Sequence, residues 1–271
     1  MKRALVAVVV LALVGAAAGV ALWSHREDVD AVAIPGGSGA SLPPATPQEQ
    51  GLDPAAMALA TRTAQDAGAL ALGIARRGHL VHLWTAEGDD ALVTSPLLAR
   101  LVLAAGDAAR IPPPATPAAD DAWAARLSIE VWKPLDAREA RLRRRTNAPD
   151  VTCCLWLRAR DALALAVELL DGRRHVVDGA AAAAALAALE DGIAPRGAEP
   201  FGARPARLWR DARGTRLYFF PPQDLVILVV RADEARLTDE TLLAHQVLRG
   251  IVDLPAGIEP APTPRDLVPA H

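Results

Sequence analysis

Leu225-Val226-Ile227-Leu228-Val229-Val230 is the most constraining stretch of this chain. Six apolar residues in a row, four of them β-branched, suit a strand and are too short for a helix of ordinary length. Such a strand shows apolar side chains on both faces, so it belongs at the centre of a sheet. Arg207 to Arg210 and Arg216 to Phe220 read as strands just before it. Far upstream, Ala69 to Ala75 and His79 to Trp84 read as two more, joined by a turn at Arg76-Arg77-Gly78. Neither strand group is large enough to stand alone, so the two are expected to pair despite their separation.

Helical signals fill the space between them. Asp53 is a good N-cap with Pro54 behind it, opening a helix to about Ala67. Ser95 is an N-cap candidate for a helix starting at Pro96, and the stretch to Ala105 is apolar at helical spacing through Leu97, Leu98, Leu101 and Val102. Ile111 to Pro117 is rich in proline and must be irregular. Ala118 to Trp132 is a further helix, stopped by Pro134, and Asp161 to Leu170 another, ended by Asp171-Gly172. Asp178 caps the alanine-rich Ala180 to Leu189, and Asp239 to Val252 closes the domain as an amphipathic helix. The expected fold is α+β, with two layers. An antiparallel sheet built from N- and C-terminal strands carries the helices, and a helical insertion separates the strand groups.

Ahead of the domain, Met1-Lys2-Arg3 is basic, and Ala4 to Trp23 is twenty residues without a charge. At about 1.5 Å per residue that run spans roughly 30 Å, a bilayer core. Trp23 supplies an interfacial aromatic, and Lys2-Arg3 places the N-terminus in the cytoplasm. A cleaved signal peptide is the competing reading, with Ala16-Ala17-Ala18 as its processing site. Both export the remainder. The expected organisation is a signal anchor at 1–23, a flexible tether at 24–48, one domain at 49–254 and a Pro-rich tail at 255–271. That makes the chain a single-pass inner-membrane protein with its bulk in the periplasm.

A net charge of −3 gives no reason to expect nucleic acid as a partner. Scarcity lets catalysis be argued by counting. The serines are Ser24, Ser38, Ser41, Ser95 and Ser128; the lysines are Lys2 and Lys133; the one tyrosine is Tyr218. Ser128 lies mid-helix without a nucleophile elbow. Cys153-Cys154 is the sole cysteine pair, badly placed for an ordinary bridge, and reads as a small buried pair. With His79 and His82 alone beside it, no metal site is expected, and nothing calls for a cofactor. Arg141 to Arg145 holds four arginines; a solvated loop is the default, contact with anionic lipid or cell-wall polymer the alternative.

Several stretches in collinear order carry a family resemblance. They are Gly51-Leu52-Asp53-Pro54, then Gly73-Ile74-Ala75-Arg76-Arg77-Gly78-His79-Leu80-Val81, then Val131-Trp132-Lys133-Pro134-Leu135-Asp136-Ala137. Cys153-Cys154-Leu155-Trp156-Leu157-Arg158-Ala159-Arg160-Asp161 and Tyr218 to Val230 complete the set. Together, over roughly 50 to 252, they resemble the serine β-lactamase and penicillin-binding superfamily. The likeness is to its branch of β-lactamase-related esterases and 6-aminohexanoate-dimer-type hydrolases.

The resemblance implies a serine nucleophile in Ser-x-x-Lys at a helix start, with the lysine amine one turn away to accept its proton. The matching place is Ser95-Pro96-Leu97-Leu98, so the lysine position is Leu98. The family's Tyr-x-Asn has no counterpart in the helical part, since Tyr218 falls on a C-terminal strand. Its third motif, Lys-Thr-Gly or His-x-Gly, is matched at best by Arg213-Gly214-Thr215. Ser95 is thus a vestigial nucleophile position, and the expectation is a degenerate member, a pseudoenzyme that binds or scaffolds in the cell envelope. Its partners would be the inner membrane through residues 4–23, and an envelope protein or small-molecule ligand. The alternatives are a working esterase or amidase using Ser95 with an unconventional base such as His79 or His82, and a sensor that keeps the old cleft as its pocket.

Overall fold

The computed structural model describes residues 31–143, 155–172, 175–192, 207–231 and 242–253. Its larger sheet is fully antiparallel and runs β3-β2-β9-β8-β7. The strands are β2 (Ala69–Arg76), β3 (His79–Thr85), β7 (Arg207–Arg210), β8 (Arg216–Phe220) and β9 (Leu225–Arg231). β9 is central, as its double-faced apolarity requires, and it joins the early hairpin to the late strands. The β2–β3 turn places Arg77 at φ 53° and Gly78 at φ 76°. Two successive positive φ values match the right-handed twist of a hairpin.

Helices cover both faces of this sheet, so the expected two layers become three. On one face, α1 (Pro54–Asp66) and α6 (Leu242–Arg249) pack over Leu225, Ile227 and Val229. On the other, α2 (Pro96–Ala108), α3 (Asp120–Leu127), α4 (Ala159–Asp171) and α5 (Gly179–Gly192) share a core with Val226, Leu228 and Val230. A strand buried on both sides needs cover on both sides, which is the physical reason for the third layer. Gly73 permits a close approach there: a Cβ on it would stand 3.1 Å from a Leu163 methyl carbon of α4.

Helix boundaries follow local chemistry. Asp53 caps α1 by accepting a hydrogen bond from Ala55 N (2.9 Å), and Asp178 caps α5 from Ala181 N (2.8 Å). Gly172 ends α4 in the left-handed region at φ 62°. The helix expected to run to Trp132 loosens into a π turn over Ser128–Trp132, held by Ser128 Oγ donating to Pro35 O (2.6 Å).

A second, four-stranded sheet was not expected. It runs β1-β5-β6-β4, with β1 (Ala31–Ile34), β4 (Leu92–Val93), β5 (Ala140–Arg143) and β6 (Leu155–Arg158). Residues 31–48 therefore belong to the domain, not to a flexible tether. Ala31–Ile34 pairs with β5, Gly37 N bonds Ala137 O (2.6 Å), and Ala45 N bonds Leu80 O (2.9 Å) on the edge of β3. The cause is apolar alternation: Val32 and Ile34 are buried, so four short residues gain both a ladder and a core face. Arg141 and Arg143, expected in a loop, lie on β5.

Four expectations fall outside the described residues: the anchor at 1–23, Cys153-Cys154, Arg144-Arg145 and the tail at 255–271. Among the described residues no helix is long and apolar enough to cross a membrane.

Candidate active site

Ser95 sits where the motif order placed it, at the start of a helix on the α2–α5 face of the sheet. Its backbone is extended (φ −159°, ψ 159°), and Pro96 follows as the first helical residue. Proline has no N–H, so the first free donors of α2 belong to Leu97 and Leu98. Ser95 Oγ accepts from Leu98 N at 3.1 Å. The Asp211 carboxylate accepts from Leu97 N at 3.0 Å through Oδ2. The side chain of Leu98, in the lysine position, is fully buried in the core.

Asp211 stands just after β7, in the turn that leads to β8. Its Oδ1 accepts from Arg213 N (2.9 Å) and Thr215 N (3.0 Å), and Gly214 takes φ 81° to close the loop. Thr215 Oγ1 accepts from Arg231 N (3.2 Å) and so ties the turn to the end of β9. The structure thus brings two motif positions together, Ser95 and Arg213-Gly214-Thr215, through a residue that the sequence reading passed over. The signal was present: an aspartate three residues before a glycine in a short inter-strand turn.

This corner is arranged for capping. A carboxylate at the positive end of a helix, with both free first-turn donors engaged, stabilises the helix. Acyl transfer would need an accessible nucleophile, a base within about 3 Å and donors aimed at a developing oxyanion. Ser95 is 1% exposed, and no lysine, histidine or tyrosine bonds its hydroxyl among the described residues.

The other candidates lie elsewhere. His82 faces α1, on the opposite side of the sheet, with Nε2 2.7 Å from Thr61 Oγ1; its burial lowers its pKa. His79 Nδ1 is 3.0 Å from Arg77 O at the hairpin turn. Tyr218 is buried on that same α1–α6 face, stacked on Phe220 with ring centroids 6.5 Å apart. Among the described residues, neither histidine is hydrogen-bonded to Ser95. Lys133 is exposed where the π turn ends, and Ser128 is committed to Pro35.

A second buried polar cluster lies around Asp161, in the first turn of α4. Its carboxylate accepts from Ser41 Oγ (3.0 Å) and Arg138 N (3.1 Å). Burial pushes its pKa up; the two hydrogen bonds, with Arg158 and Arg160 nearby, act in the opposite direction. The cluster locks the segment around Ser41 onto α4. It is closed, and its partners are two segments of the chain's own fold.

No family model matches the chain, and no curated protein matches it either. Solved structures do. A protein named as a 6-aminohexanoate-dimer hydrolase, from Bacillus anthracis, superposes with a TM-score of 0.53 at 12% identity, over 80% of this chain and 88% of that one. A β-lactamase from Sphaerobacter thermophilus aligns over 75% of this chain and 95% of its own, at 16% identity and a TM-score of 0.38. The first of these likenesses shows the fold: this chain shares the architecture of that protein, the fold that the collinear motifs implied.

Proposed function

We propose that this chain is a non-hydrolytic module built on the serine β-lactamase-like fold, held at the outer face of the inner membrane by residues 4–23. There it would bind or scaffold other components of the cell envelope. One observation carries the non-hydrolytic reading: both free N–H groups of the first turn of α2 are taken by Ser95 Oγ and Asp211 Oδ2, with Leu98 in the lysine position. An unassisted serine is a poor nucleophile at neutral pH, and losing a general base typically costs a factor on the order of 10² to 10⁴. The anchor reading is supported by the uncharged run from Ala4 to Trp23.

The competing reading is a working esterase or amidase. It draws on the fold neighbour's description as a hydrolase and on Ser95 standing at a helix start against the 211–215 turn. Labelling of the full-length protein by a fluorophosphonate or penicillin probe, beside Ser95→Ala, separates the two. No Ser95-dependent labelling is the expected result. Stoichiometric labelling that vanishes in the Ser95→Ala protein would overturn the proposal and establish the hydrolase.

A further inference from the structure

The small sheet has two unlike faces. Val32, Ile34, Leu142, Leu155, Leu157 and Val93 point into the core and are buried. The register puts the alternate residues on the outward face: Ala33 lies beside Arg141 and Arg141 beside Trp156, while Ala31 lies beside Arg143. Arg158 follows Trp156 on the same side. Arg138, Asp90 and Glu139 border this face, through ion pairs from Asp90 to Arg138 and Arg158 and from Glu139 to Arg141. Among the described residues the patch therefore sets four guanidinium groups against two carboxylates. A shallow groove of about 300 Å³ lies between Ala31, Ala33, Glu139 and Arg141.

We infer that this outward face of the small sheet rests on phospholipid headgroups. The inference builds on the proposed membrane anchor, and chain length gives it direction. Because β1 begins at Ala31, only residues 24–30 separate it from Trp23. Seven residues reach at most about 25 Å, against about 85 Å for a tether running to residue 48. The register adds that Ala31, the first described residue, is the cross-strand partner of Arg143. The arginines of β5 are thus beside the point at which the domain hangs from the bilayer. Their chemistry fits that place: guanidinium groups pair with lipid phosphates, and a half-buried tryptophan suits the headgroup boundary. An unpaired basic residue this close to an anionic lipid surface strengthens binding by roughly fivefold.

The test uses the full chain reconstituted in vesicles of phosphatidylethanolamine and phosphatidylglycerol, with lipids brominated near the top of the acyl chain as quenchers. Subtracting the quenching of Trp156→Phe from that of the unmodified protein isolates Trp156. The expected result is quenching at Trp156 that is lost in an Arg141→Gln/Arg143→Gln variant and kept in Arg62→Gln, on the far side of the larger sheet. Trp156 emission untouched by brominated lipid, in protein that resists carbonate extraction, overturns the docked face and leaves the anchor standing. Protein stripped from the vesicles by carbonate overturns the anchor and the docked face together. Should Trp156→Phe fail to melt cooperatively, total tryptophan quenching in Arg143→Gln against the unmodified protein replaces it, and equal quenching in the two overturns the inference.

Discussion

Asp211 and Asp161 both bury a carboxylate and both join segments more than a hundred residues apart, yet they do so through different chemistry. Asp211 takes three backbone N–H groups, from Leu97, Arg213 and Thr215. Asp161 takes one backbone N–H, from Arg138, and the hydroxyl of Ser41. A backbone N–H can only donate, whereas a hydroxyl can turn and accept. The first site therefore demands a side chain that accepts at both of its oxygens, and the second tolerates any group that offers one acceptor and one matching partner. The corner expected to do chemistry is the more rigidly specified of the two, and what it specifies is a helix start.

The largest effect should come from breaking the stricter site. Asp211→Ala leaves three N–H groups without their acceptor in an 8% exposed environment, at a cost of about 3 kcal/mol or more. Asp211→Asn should sharpen the result. Its single oxygen serves the Arg213 and Thr215 donors, which share Oδ1, and its amide nitrogen then faces Leu97 N. Hydrogen exchange should rise at Leu97 and stay low at Thr215. An Asn variant as stable as the unmodified protein would show that the bond to α2 is dispensable.

At Asp161 the same pair of substitutions should separate. Asp161→Ala should cost about 2 kcal/mol, through the stranded Ser41 and Arg138 groups. Asp161→Asn should be nearly neutral at pH 7, because its oxygen accepts from Arg138 N while Ser41 Oγ accepts from its amide. The pH dependence follows from burial raising the native-state pKa above that of the unfolded chain. In the window between the two values the native state binds a proton that the unfolded state does not, so stability rises as pH falls through it. Urea melts should then show the unmodified protein gaining on Asp161→Asn as pH drops below the native pKa, and levelling off below the unfolded value. A gap that is constant from pH 7 to pH 4 would remove Asp161 as its source.

The contrast also explains what was legible in the sequence. β7, β8 and β9 run over the residues expected, and Asp53, Ser95, Gly172 and Asp178 cap helices where their local chemistry put them. Those signals act within four or five residues. The small sheet escaped because its strands are two to four residues long and find their partners far away: Ala31–Ile34 pairs with Ala140–Arg143. Alternating arginines in Ala140-Arg141-Leu142-Arg143 also read as a charged loop until the second face is known. The third layer was in fact demanded by Leu225 to Val230, whose double-faced apolarity two layers could not cover. Asp211 lies in a short inter-strand turn, but its bond to Leu97 spans 114 residues, and no local pattern announces that.

The smallest effect is the most diagnostic, because its sign decides what Ser95 is for. A nucleophile held for chemistry sits at some cost to the fold, so its replacement by alanine tends to be neutral or stabilising, in line with the trade-off between stability and activity. An N-cap serine behaves in the opposite way, and its loss costs about 1 kcal/mol. Here the hydroxyl accepts from Leu98 N, so Ser95→Ala strands that donor in a core position. Asp211 goes on holding Leu97 N and opposing the helix dipole, which keeps the expected loss near 1 kcal/mol. The two caps serve adjacent donors of one helix start, so the double variant Ser95→Ala/Asp211→Ala should lose more than the two single losses added together. The measurement is a urea melt of each protein, with the midpoint shifting at constant slope. Destabilisation by Ser95→Ala, deepened without Asp211, identifies a serine working as a helix cap; a more stable Ser95→Ala protein would reverse the reading of this corner and favour the hydrolase.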